Sequence, residues 1–159
     1  MFYTGKSRLR FTQCVCICAA VLSTSSAQAQ TIISELLYDA SSADNGNVFV
    51  ELFGMPGTVL DGLLLEGVNG TDGSVYLSAE LAGVIPSSGV FLIGDDSGDG
   101  SSFISNVDLV REIDFQNGPD SVVLRQGDTV LDALGYGDFT GLFFSGEGNA
   151  ASDVSAGQS

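Results

Sequence analysis

The 159-residue chain contains no histidine and no tryptophan, and its three cysteines and its one lysine all fall within the first eighteen positions. Without histidine there is no Ser-His-Asp or Cys-His nucleophile pair, and the usual zinc sites lose their commonest ligand. Without lysine beyond Lys6, a Ser-Lys pair and a phosphate-cradling loop with its lysine are excluded as well. Positive charge is scarce in general: five Lys and Arg stand against twenty Asp and Glu, a formal charge of −15. Such a chain repels phosphate backbones and anionic lipid, so no nucleic-acid binding is expected; it attracts cations instead.

What is present begins with a three-part leader. Lys6, Arg8 and Arg10 precede the apolar run Cys14 to Leu22, and a small polar stretch ends in Ala27-Gln28-Ala29. That is the plan of a secretory signal peptide over residues 1–29, cleaved near Ala29. A lipoprotein leader is the rival, although Ile17 stands before Cys18 where a small residue is expected. The apolar run is about half of the roughly 20 residues that a membrane-spanning helix requires, and no second one follows, so no membrane span is expected. The expected destination is the periplasm, the cell surface or the medium. Cleavage would remove every cysteine, leaving stability to the core without disulfides. It would also leave only Arg111 and Arg125 against all twenty carboxylates.

From Gln30 onward, about 130 residues suit one domain with a sizeable core. Short apolar runs recur at close spacing: TIISELLY, NVFVELF, VLDGLLLEGV, GSVYLSA, GVFLIG, DSVVLR and TVLDALGY. None keeps a helical period, and many are rich in Val, Ile, Phe and Tyr. Asn45-Gly46, Asn69-Gly70 and Asp72-Gly73 fall between runs and are expected to supply the positive φ of tight turns. Seven or so strands in this length predict an all-β sandwich. Residues 97–102 and the tail from Gly146 read as loop.

Strand alternation puts Glu35 on one face with Ile33 and Leu37, and Glu51 on one face with Phe49 and Phe53. Each is capped by backbone N–H groups or at a sheet edge, or has an internal partner; Arg125 on DSVVLR is then the better of two candidates. The same two glutamates could meet the carboxyl separation of a glycosidase-like reaction, although the chain offers no Trp platform and a small sandwich little cleft. The acidic stretch IGDDSGDGSSF, Ile93 to Phe103, allows two further sites. Asp96-Ser97-Gly98 has the form of an aspartic-protease triplet but lacks the second copy that would share its proton. Asp95, Ser97, Asp99 and Gly100 occupy positions 1, 3, 5 and 6 of a calcium loop, whose oxygens converge on one hard cation. Its second half departs from the pattern, with Asn106 at position 12, so Asp108 or another loop would have to complete the sphere. An acidic solvated loop is the plainer reading. GLFFSG, Gly141 to Gly146, is either a partner patch or a plug on the core. Asn69-Gly70-Thr71 is a formal glycosylation sequon.

Four of these segments, in order, resemble the lamin tail domain of secreted bacterial proteins. IISELLYDASSADNGNVFVELF is similar to its opening pair of strands, LDGLLLEGV to its L-x-G-aromatic strand with Leu63 in the aromatic place, GVIPSSGVFLIGDD to its turn into a central strand, and NGPDSVVLRQGDTVLDALGYGDF to its closing hairpin. The likeness spans Thr31 to Gly148. It implies an immunoglobulin-like β-sandwich and a non-catalytic module for binding, adhesion or structure. Family members are often joined to hydrolases, and no such domain is present here. The family continues with a further strand where this chain has its Gly/Ser/Ala-rich tail, 149–159. The expectation is therefore either a fragment of a longer protein or a sandwich whose open edge pairs with another chain.

Overall fold

The computed structural model describes Met1, residues 30–152 and residues 155–159; the expected leader, residues 1–29, and its expected cleavage site near Ala29 fall outside the described residues but for Met1. Eight strands follow in chain order: β1 (Ile32–Leu37), β2 (Phe49–Phe53), β3 (Leu63–Asn69), β4 (Val75–Glu80), β5 (Val90–Asp95), β6 (Leu109–Arg111), β7 (Asp120–Gln126) and β8 (Thr129–Tyr136). They form two four-stranded sheets, β1-β2-β5-β6 and β4-β3-β7-β8. The fold is an all-β sandwich. Every pairing is antiparallel except β5 with β6, which is parallel. No helix among the described residues is long and apolar enough to cross a membrane.

Alternation builds the core between the sheets. Val50 and Leu52 of β2 and Phe91 and Ile93 of β5 face Leu65 of β3 and Val122 and Leu124 of β7, all buried. Period 2 turns their neighbours Phe49, Glu51 and Phe53 to the outer face. Leu60, Ile85, Ile113 and Phe115 join this core from the connections. At one flank, Arg111 Nε of β6 donates to Glu80 O of β4 at 2.7 Å, tying the sheets together. At the other flank the rings of Tyr38 and Tyr136 stack, with centroids 4.1 Å apart.

Of the three turn glycines, Gly46 (φ 78°) and Gly73 (φ 75°) take the left-handed conformation. Gly70 does not; it is there because a Cβ would come 2.0 Å from the Pro119 carbonyl oxygen. The GLFFSG segment folds back on the second sheet. A Cβ on Gly135 would meet the Phe144 ring at 2.2 Å, and Phe144 packs edge-on against Phe139. Phe144 thus covers Gly135 with one side of its ring while remaining 37% exposed, and Phe143 beside it is more exposed still. Beyond it the tail runs along β8: Glu147 N donates to Ala133 O (2.8 Å), Ala151 N to Gly135 O (2.7 Å), and Gly137 N to Ala151 O (3.1 Å). Ala151 and Tyr136 make a parallel bridge.

Candidate functional site

The acidic loop after β5 separates into an inner and an outer part. Asp95 continues the inward-facing row of Phe91 and Ile93 and is fully buried. Its Oδ2 accepts the Gly46 N–H at 2.7 Å and its Oδ1 the Ile113 N–H at 2.8 Å. The carboxylate thus fastens the β1–β2 turn and the chain after β6 to the end of β5. Gly46 is glycine for a second reason besides its φ, since a Cβ there would press on the Phe103 ring and Ser97 Cβ at 2.8 Å.

The remaining acids of the loop fold it on itself. Asp96 Oδ1 accepts the N–H groups of Gly98 and Gly100, both at 2.8 Å. Asp99 Oδ1 accepts the hydroxyls of Ser101 (2.6 Å) and Ser97 (3.0 Å), and the Ser101 hydroxyl foremost holds its carboxyl below the usual range. Asp108 Oδ2 is drawn to Leu92 N at 2.8 Å. The structure therefore brings Ser97 and Asp99 together and places Asp95 inside, away from them. Among the described residues no group of three or more acidic or sulfur ligands converges as for a metal ion.

The expected partnership of Arg125 with Glu35 or Glu51 is corrected by the topology. Arg125 lies on β7 in one sheet, whereas Glu35 and Glu51 lie on β1 and β2 of the other. Its Nε sits 2.8 Å from Glu66 Oε2 on the neighbouring β3. Neither atom makes an aligned hydrogen bond, so the contact is an ion pair held by charge rather than direction. Glu66 is buried in the middle of LLLEGV, the same pattern that drew attention to Glu35 and Glu51, and the β3–β7 pairing that brings it to Arg125 is not written in either strand.

Glu35 and Glu51 stand directly opposite each other across β1 and β2. Glu51 Oε1 accepts the Ser34 hydroxyl at 2.8 Å, and Glu35 Oε1 the Ser159 hydroxyl at 2.5 Å. No arginine among the described residues reaches them, since Arg111 is bonded to Glu80 O and Val110 O. Glu35 borders a cleft of about 330 Å³ between β1 and β8, floored by Tyr38 and Tyr136, walled by Leu36 and Leu134 and rimmed by the tail. A second hollow of about 430 Å³ at the start of the same two strands, with Met55, Val59 and Val130, has no charged lining.

A polar cluster that sequence reasoning missed lies under Tyr136. The Tyr136 hydroxyl donates to Gln116 O at 2.6 Å, and Gln116 N donates to the Tyr76 hydroxyl at 3.1 Å. Beside them Asp120, 4% exposed, accepts the Gly70 N–H on Oδ1 at 2.9 Å, while Oδ2 accepts no aligned hydrogen bond from the described residues. Burial raises the Asp120 carboxyl above its ordinary value. Burial also pushes the Tyr76 hydroxyl up to about 12, and that of Tyr136 upward as well. Only the burial of Asp120 at the first position of a strand could have signalled this cluster, and burial at a strand end is not a property of sequence.

No family model, no curated protein and no solved structure matches the chain.

Proposed function

We propose that the chain is an exported, non-catalytic module of the lamin-tail type, an immunoglobulin-like sandwich that binds a partner at the cell surface or outside the cell. The observation that carries this reading is the state of its acids. Asp95 and Asp96 are occupied by backbone N–H groups, and Glu51 is bonded to Ser34, so the carboxylates in the best positions for chemistry are holding the fold. The order of the four lamin-tail-like segments and the two-sheet architecture support the same class, and the signal-like leader supports export. Fold alone does not choose a ligand. What supports a binding role among the described residues is a cleft between β1 and β8 whose lining brings together Tyr38, Tyr136 and Glu35.

The rival reading is a carboxylate-based hydrolase, favoured by one observation, that Glu35 and Glu51 face each other across a strand pair. The two are separated by assaying the purified protein on glycoside, peptide and phosphoester substrates, with Glu35→Gln, Glu51→Gln and Asp96→Asn variants alongside. The module shows no turnover in any of them. Turnover by the unaltered protein that one of these substitutions abolishes would replace the module with an enzyme.

A further inference from the structure

We infer that the seam between β1 and β8 binds an extended peptide strand bearing a cationic side chain, and that residues 147–151 occupy the place such a strand takes. The inference rests on the binding-module reading and names its site and ligand class.

The edge of β8 is already used in the way a strand acceptor is used. Ala133 O, Gly135 O and Gly137 N face outward and are taken by Glu147 N, Ala151 N and Ala151 O. Yet Glu147, Gly148, Asn149, Ala151 and Ser152 are all exposed, so this stretch buries no large side chain in the sandwich. Its hold on β8 is three backbone hydrogen bonds made by a bent segment, four residues of which cover two of β8, and an extended peptide can reach the same three atoms with fewer residues. A segment held by backbone alone exchanges with a strand that makes the same bonds and adds a side chain below.

The cleft beneath provides for that side chain. Its 330 Å³ lies at the small end of the ligand-site range, and its wall and floor of Leu36, Leu134, Tyr38 and Tyr136 suit an aliphatic stem. At the rim Glu35 has a hydroxyl for a partner and a second carboxylate, Glu51, facing it. Like charges directly opposite are destabilising, and both described arginines are engaged elsewhere. The missing cation is therefore the partner's. A lysine or arginine satisfies both halves, with its stem against the rings and its head at Glu35. A second copy of this chain fits poorly, because beyond residue 29 its only cations are the same two engaged arginines.

The test is fluorescence anisotropy with a short labelled peptide of alternating Lys and Val, titrated with the full chain and three variants. Ala151→Pro removes the N–H that bonds Gly135 O and loosens the tail; it should tighten probe binding about tenfold, as expected when a competing occupant is removed. Adding Glu35→Gln should weaken the probe about fivefold more than adding Asp128→Asn, a charge change in the distant β7–β8 turn. Absence of binding, no gain from Ala151→Pro, or equal losses from Glu35→Gln and Asp128→Asn would each overturn the inference. Should Ala151→Pro not fold, amide exchange on the unaltered chain decides: the Ala151 amide loses protection as the probe saturates, and retained protection at saturation refutes displacement. Mass spectrometry of the probe afterwards separates the two levels. An intact, unbound probe sinks this inference alone, whereas a cleaved probe sinks the module reading beneath it.

Discussion

The two sheets deal with their carboxylates differently. In β4-β3-β7-β8 the buried Glu66 has a cation, Arg125, one strand away. In β1-β2-β5-β6 the one arginine, Arg111 of β6, is turned to the carbonyls of Glu80 and Val110 instead of to an acid; Asp95 accepts two backbone N–H groups, and Glu35 and Glu51 face each other. A protein with two arginines beyond residue 29 cannot pair every acid, and one of them goes to the acid buried in mid-strand. Where burial is complete, as at Asp95, backbone donors do the same work even with Arg111 opposite it in the β5–β6 register. Where exposure is partial, the charges are left unpaired.

The contrast breaks most sharply at Asp95. Asp95→Ala strands two buried N–H groups, each costing roughly 1–3 kcal/mol, so urea unfolding should show a loss of about 3 kcal/mol. Asp95→Asn keeps one acceptor and should lose about half as much. A loss under about 1 kcal/mol would mean that the backbone donors find other partners.

Next comes Arg125→Ala, which leaves Glu66 with its charge buried and unbalanced. Because Arg125 is partly exposed, the full cost of breaking a buried pair does not apply, and about 2 kcal/mol is expected. The double variant Arg125→Ala with Glu66→Leu should recover most of it. If the double variant is no better than the single, the pair's charge is not what matters.

The facing glutamates of β1 and β2 should respond in the opposite direction. Glu35→Gln relieves the repulsion across β1 and β2 and should raise stability by about 0.3 kcal/mol at low salt. The gain should fade in about 0.5 M NaCl, where screening has already weakened the repulsion. A variant less stable than the parent would show that the Ser159 hydroxyl bond outweighs the repulsion.

The smallest effect expected is that of calcium. With Asp95 turned inward, only Ser97 and Asp99 of the three expected ligands remain together, so ~10 mM calcium should move the melting temperature no more than magnesium at equal ionic strength does. A rise specific to calcium would put the cation back among the loop oxygens.

How far the sequence could be read follows the physics of each feature. Seven strands were legible because alternation and β-rich composition are local. β6 was not, since its three residues Leu109–Arg111 pair in parallel with β5 at an edge and carry no period of their own. Asp95 was legible in principle: it falls two residues after Ile93, on the same face as Phe91, which makes it the last inward residue of a strand rather than the first ligand of a loop. The Glu66–Arg125 pair was not, because it depends on β3 lying beside β7, and sheet order is decided by the whole core. Glu35 and Glu51 stand out in the sequence as acids on apolar strands, but opposing them requires the register, including the irregularity between Ile33 and Glu35.

The scarcity of basic residues also fixes how this domain meets a protease. Beyond residue 29 trypsin can cut only after Arg111 and Arg125, and both lie within strands with their guanidinium groups engaged. Nicking at a loop tip, the ordinary first event of digestion, is closed to this enzyme, so tryptic cleavage reports opening of one sheet or the other. The two products would even say which: a cut at Arg111 reads the sheet that lacks a cation for its glutamates, and a cut at Arg125 the sheet that has one.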